Sequence, residues 1–147
     1  MEELPHNPHD KLFKRSFGDP ITTANFLRHE LSGPLARAID WETLKLESGS
    51  FVDSQYRSSE SDLLFSTLVG DKPARIYLLF EHQRTLERTI ALRLLRYMVR
   101  IWERCHTSDS YQTLPVILPV VLAHNGEHWD IPVNFARLLD IPKNLRG

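Results

Sequence analysis

Two stretches of the chain are apolar at nearly every position and carry polar groups at their ends. Leu63, Leu64, Phe65, Leu68 and Val69 make one, and Ile76, Tyr77, Leu78, Leu79 and Phe80 make the other. Gly70-Asp71-Lys72-Pro73 between them is a turn-forming cluster, so residues 60–69 and 74–80 read as an antiparallel hairpin. Runs without polar alternation are expected of strands covered on both faces. Further along, Leu86, Ile90, Leu94, Tyr97, Met98, Ile101 and Trp102 recur every three to four residues. That period predicts a helix over residues 86–104 with a single apolar stripe.

The flanking segments complete the pattern. Residues 9–17 predict a short helix with Leu12, Phe13 and Phe17 on one side, and Asp19-Pro20 marks the next helix start. Phe26, Leu27, Leu31, Leu35 and Ile39 predict an amphipathic helix over residues 21–39, broken or bent at Gly33-Pro34. Leu44, Leu46, Phe51 and Val52 predict a strand or strand pair around Ser48-Gly49-Ser50, and residues 114–124 a strand ending in the turn Asn125-Gly126. The order is helix, strand, two-stranded hairpin, helix, strand. An α/β domain with a mixed sheet flanked by helices follows.

Composition narrows the function classes only slightly. A chain of 147 residues with 41% hydrophobic and 25% charged residues suits one globular domain. The formal net charge of −1 means that any basic surface for nucleic acid must be local. Cys105 is the single cysteine, which excludes an intramolecular disulfide and a cysteine-based zinc knuckle. The start of the chain is polar, and the apolar stretch over 114–123 is interrupted by Pro115 and Pro119. A soluble cytoplasmic protein is the expectation.

The chemistry is concentrated at the ends of the hairpin strands. Glu81 and Gln83 are two residues apart, so on a strand they share a face. Asp62, at the start of the partner strand, can lie beside them. Two carboxylates in contact repel unless a cation neutralises them, and Mg²⁺ (or Mn²⁺) favours such oxygen donors while keeping several waters. A metal-bound water is a nucleophile suited to phosphorus.

These segments resemble a known family. Ser61-Asp62-Leu63-Leu64-Phe65, the strand Tyr77-Leu78-Leu79-Phe80-Glu81-His82-Gln83 and the helical Leu92-Arg93-Leu94-Leu95-Arg96-Tyr97-Met98 are similar to the Rpn recombination-promoting nucleases, also described as transposases. His9-Asp10-Lys11-Leu12-Phe13-Lys14 and residues 118–126 share the likeness, which covers most of residues 9–128. The resemblance implies a PD-(D/E)xK nuclease core of order αβββαβ over residues 1–129. Residues 130–147 are then a tail, the start of a truncated helical region.

By the same likeness Asp62 is the metal-binding aspartate, Glu81 the second acidic ligand, and Asp10 an acidic residue of the first helix that completes the catalytic set. Gln83 stands where the wider superfamily has lysine. Glutamine can orient water or phosphate but cannot act as a general base. The implied activity is Mg²⁺-dependent DNA endonuclease action tied to recombination or mobile elements, with a homodimer favoured for cutting both strands. The alternative is a non-catalytic module of the same fold that binds DNA or a partner protein.

Other polar residues divide between substrate contact and structure. Arg93, Arg96, Arg100 and Arg104 recur at three to four residues and form a stripe suited to DNA phosphates, or else a solvated face partly paired with Glu87 and Glu103. His6 with His9 and His124 with His128 have metal-site spacing but fall in a tail and across a turn, so they read as structural or surface residues. His82 should face the side of its strand opposite Glu81. Trp41, Trp102 and Trp129 read as packing residues, and Cys105 has no base beside it.

Overall fold

The computed structural model describes residues 8–47, 50–57, 59–82, 88–108, 113–123, 138–140 and 142. The elements are α1 (Pro8–Phe17), α2 (Pro20–Glu30), α3 (Pro34–Ala38), β1 (Ile39–Glu47), β2 (Glu60–Val69), β3 (Lys72–Glu81), α4 (Ile90–Ser108) and β4 (Val116–Ala123). Four strands form one sheet in the order β1-β2-β3-β4. β1 and β2 run antiparallel, as do β2 and β3, whereas β3 and β4 are parallel with α4 as the crossover. This is the mixed sheet flanked by helices, in the order αβββαβ, that the residue pattern predicts.

Local chemistry sets the boundaries. Asp19 caps α2 by accepting from the Ile21 and Thr22 backbone N–H groups at 3.4 and 3.3 Å, and Pro20 fills the first turn. Gly33, with φ at +93°, adopts a conformation that a side chain disfavours and separates α2 from α3. The β2–β3 loop is tighter than the four-residue cluster Gly70 to Pro73 implied. Val69 pairs with Lys72, so only Gly70 and Asp71 turn the chain. Gly70 has φ at +62° and Asp71 has no positive φ, the pattern of a type II′ hairpin turn.

Boundaries differ from the sequence reading: α4 runs Ile90–Ser108 rather than over 86–104, β3 starts at Lys72 rather than residue 74, and the first strand starts earlier. The helical pattern does not continue to Ile39, and the following strand is not 44–52. β1 begins at Ile39, pairs it with Val69, shifts register between Asp40 and Lys45, and ends at Glu47. Ile39 is buried in the strand, and Thr43 Oγ1 accepts from the Leu68 N–H at 3.0 Å across the irregular step. Sheet pairing outweighs helical periodicity over these residues. Leu12 also departs from expectation: it is exposed, while Phe13 is buried.

The two faces of the hairpin are both covered. Leu63, Phe65, Ile76 and Leu78 pack with Phe13 of α1 and Ala24 and Leu27 of α2. Leu64, Tyr77 and Leu79 pack with Ile90, Tyr97 and Ile101 of α4. Burying each such large side chain contributes about 1.5–3 kcal/mol relative to exposure. Covered on both sides, the strands need no polar alternation until their ends, and that is where the acidic residues stand.

Candidate active site

The antiparallel register fixes which polar residues share a face. Glu60 lies directly opposite Glu81, Asp62 opposite Leu79, and Leu64 opposite Tyr77. Residues two apart on a strand, and residues directly paired across strands, point to the same side. Glu60, Asp62 and Glu81 therefore project from the α4 side of the sheet, beyond the apolar layer of Leu64, Tyr77 and Leu79. All three are buried.

Asp62 is held by three donors. Ser50 Oγ donates to Oδ1 at 2.7 Å, and the Phe51 backbone N–H and the Tyr77 hydroxyl each donate to Oδ2 at 2.7 Å. Burial, and then the charge of Asp62, push the Tyr77 phenol well above its ordinary range, so it stays a donor. The segment carrying Ser50 and Phe51 is anchored in turn by α4. Arg100 Nη1 donates to the Phe51 carbonyl at 3.2 Å and pairs with Asp53 at 2.6 Å, while Arg96 pairs with Asp53 at 3.3 Å. The Arg100 and Arg96 hydrogen bonds and charges hold the Asp53 carboxyl below its usual range. Arg104 lies over the Phe51 ring, 5.6 Å from its centroid.

Glu60 and Glu81 share a guanidinium. Arg93 Nη1 forms an ion pair with Glu60 Oε1, and Arg93 Nη2 lies 3.5 Å from Glu81 Oε2. The Arg93 head stacks over Tyr56 at 4.7 Å from the ring centroid, and the Tyr97 hydroxyl lies 3.5 Å from Glu60 Oε2. Desolvation pulls the Arg93 guanidinium down from its ordinary range, with Tyr97 and Tyr56 acting in the opposite sense. Arginine keeps its charge even so.

The arginine stripe is thus not uniform. Arg93 turns inward and is 4% exposed, with its charge engaged by two buried carboxylates. Arg96 and Arg100 remain on the outer side, 47% and 42% exposed at their side chains. Asp10 is half-buried and pairs with Lys14 at 3.9 Å, on a helix whose Phe13 stacks against Phe80 on the other face of the sheet. His82 takes that other side too, as expected: Ser61 Oγ is 3.3 Å from His82 Nε2, and the Phe80 ring meets the imidazole edge-on at 4.5 Å. Gln83, Leu86, Glu87, Trp129, His6, His124 and His128 lie outside the described residues.

Glu60 and Tyr77 were not singled out from the sequence. A signal for Glu60 was present: it stands two residues before Asp62, and counting outward from a two-residue turn sets it opposite Glu81. Among the described residues, no group of three or more His, Cys, Asp or Glu side chains is arranged to hold a metal ion. A Mg²⁺ ion is commonly held by one or two carboxylates together with water and substrate phosphate, so Asp62 and Glu81 fit it in the chemistry of their donors.

Residues 7–146 match the family described as "Putative transposase, YhgA-like". The chain belongs to this family. It is 41% identical over 120 residues to the recombination-promoting nuclease RpnA of Escherichia coli K12, covering 82% of the chain and 41% of that relative. It is 34% identical over 147 residues to the inactive recombination-promoting nuclease-like protein RpnE of the same strain, covering 99% and 48%. Against the recombination-promoting nuclease RpnD of Escherichia coli O157:H7 it is 36% identical over 119 residues, covering 81% and 46%. The chain spans less than half the length of these YhgA-like relatives. No solved structure matches it. Among the described residues, no helix is long and apolar enough to cross a membrane.

Proposed function

We propose that this chain is the nuclease region of a metal-dependent DNA endonuclease linked to recombination. The observation that carries the reading is the placement of Asp62 and Glu81, buried on one face of the paired β2 and β3 strands. Relatives named as recombination-promoting nucleases support it.

Asp62 and Glu81 are the residues that would hold Mg²⁺ or Mn²⁺. The bound ion would supply a polarised phosphoryl oxygen and an acidified water. The chain's own residues do the rest. Tyr77, Ser50 and the Phe51 N–H fix the Asp62 carboxylate, so little reorganisation is needed there. Gln83, two residues beyond Glu81, orients water or a phosphate oxygen without accepting a proton. Arg96 and Arg100 contact the DNA backbone and give affinity without sequence choice. The test is nicking of supercoiled plasmid with Mg²⁺ and with EDTA. Wild type should nick only with the metal, and Asp62→Ala should not nick; equal nicking by both proteins overturns the assignment of the site.

A second reading is a DNA- or protein-binding module that does not cut. Its support is that donors already occupy both Asp62 oxygens and that Arg93 engages Glu81. RpnE, matched over nearly the whole chain, is named inactive. Thermal unfolding with millimolar Mg²⁺ or Mn²⁺ separates the two, because a ligand bound only by the folded state raises the melting temperature. No shift, with DNA binding retained, favours the second reading.

A further inference from the structure

We infer that Arg93 is a positioning residue of the Asp62–Glu81 site that sets how much cationic charge the site accepts, an inference that rests on the metal-binding reading above. Among the described residues, three carboxylates, Glu60, Asp62 and Glu81, are buried on one face, and one guanidinium, Arg93, is buried with them. Counted as ionised, they leave two negative charges, the charge of one divalent ion. Arg93 pairs with Glu60 through one Nη and reaches Glu81 through the other. The planar fork of arginine makes this sharing possible, whereas a lysine acts as a point charge.

The consequence is competition at Glu81. Without an ion, Arg93 relieves the repulsion between two carboxylates that the strand register holds directly opposite each other. When an ion engages Glu81, Arg93 keeps Glu60 as its partner and need not leave the interior. Glu60 is then the residue that retains the arginine, and Glu81 the one that passes between arginine and metal. Two ligands that share one group oppose each other's binding by a coupling free energy, and the coupling is reciprocal.

The experiment is calorimetric titration of Mn²⁺ into the chain and its variants. Arg93→Gln removes the competing charge and should bind Mn²⁺ about tenfold more tightly than wild type, within the usual range of such couplings. Glu60→Gln removes the carboxylate paired with Arg93 Nη1, shifts the guanidinium charge toward Glu81 and should bind more weakly. Arg93→Lys, which keeps the charge but cannot fork, should show a smaller gain than Arg93→Gln and covers the case in which that variant does not fold. A purely structural arginine predicts the reverse, a loss of Mn²⁺ binding together with stability.

If wild type binds Mn²⁺, Asp62→Ala abolishes the binding, and neither Arg93 variant binds more tightly, the inference is overturned while the metal site stands. If neither wild type nor either Arg93 variant binds Mn²⁺, the metal reading itself fails and takes the inference with it. Binding that emerges only in an Arg93 variant supports it.

Discussion

Glu60 and Glu81 face each other directly across β2 and β3, both buried, with the Arg93 guanidinium contacting each. Removing one member of a buried ionic group leaves the others without compensation, at a cost of about 3–5 kcal/mol. Arg93→Leu should therefore destabilise the chain by about that amount. Urea unfolding with an unchanged slope and a lowered midpoint would show it; a midpoint near that of wild type would refute it.

Tyr77→Phe removes one of three donors to Asp62 and leaves the ring in place. A hydrogen bond to a charged group is worth about 1.5–3 kcal/mol. The Ser50 and Phe51 donors remain, so the loss of stability should lie at the lower end of that range. The same unfolding measurement tests it, and no change would mean that the tyrosine hydroxyl contributes nothing to holding Asp62.

Arg96 and Arg100 differ from Arg93 in exposure, and DNA binding should reflect it. Removing a side chain that neutralises one phosphate should reduce the slope of log affinity against log salt by about 0.9. Arg96→Ala and Arg100→Ala should each show that reduction in a salt series on non-specific duplex. Arg93→Gln, which removes the charge, should leave the slope unchanged, because the residue is inside the fold.

Acid stability should depend on Asp53. Its folded-state carboxyl lies below the usual range because Arg100 and Arg96 stabilise the charged form. A depressed folded value contributes stability that is present above the unfolded value, about 3.9, and lost as pH falls through the folded one. Wild type should lose stability toward low pH more steeply than Asp53→Asn, with the two curves converging in strong acid. Parallel curves from neutral pH to pH 2 would count against the pairing. The contribution is that of a partly exposed pair, about 1 kcal/mol or less.

Much of the fold was legible from apolar periodicity. Two nearly continuous apolar runs on either side of the turn cluster Gly70 to Pro73 read as buried strands, and the stripe from Leu86 to Trp102 as a helix. Ile39 shows where periodicity misleads: its spacing suits a helix, yet it pairs with Val69 because the neighbouring strand offers an open edge. At the site, Asp62 and Glu81 were visible as acids at strand ends. Treating residues 70–73 as the whole turn would set Asp62 opposite Glu81. The two-residue turn moves the register, so that Glu60 takes that place.

The sequence by itself determined the order of elements, the buried hairpin and the two acids on one strand face, because these follow from spacing along the backbone. Only the tertiary structure decided that Arg93 turns inward while Arg96 and Arg100 stay outside. One helical stripe contains all three, and their fates diverge with what packs opposite each. Two buried carboxylates attract the first, and a half-buried Asp53 on a surface segment holds the others. Long-range pairing of charges is set by three-dimensional proximity, which the period of a helix does not encode.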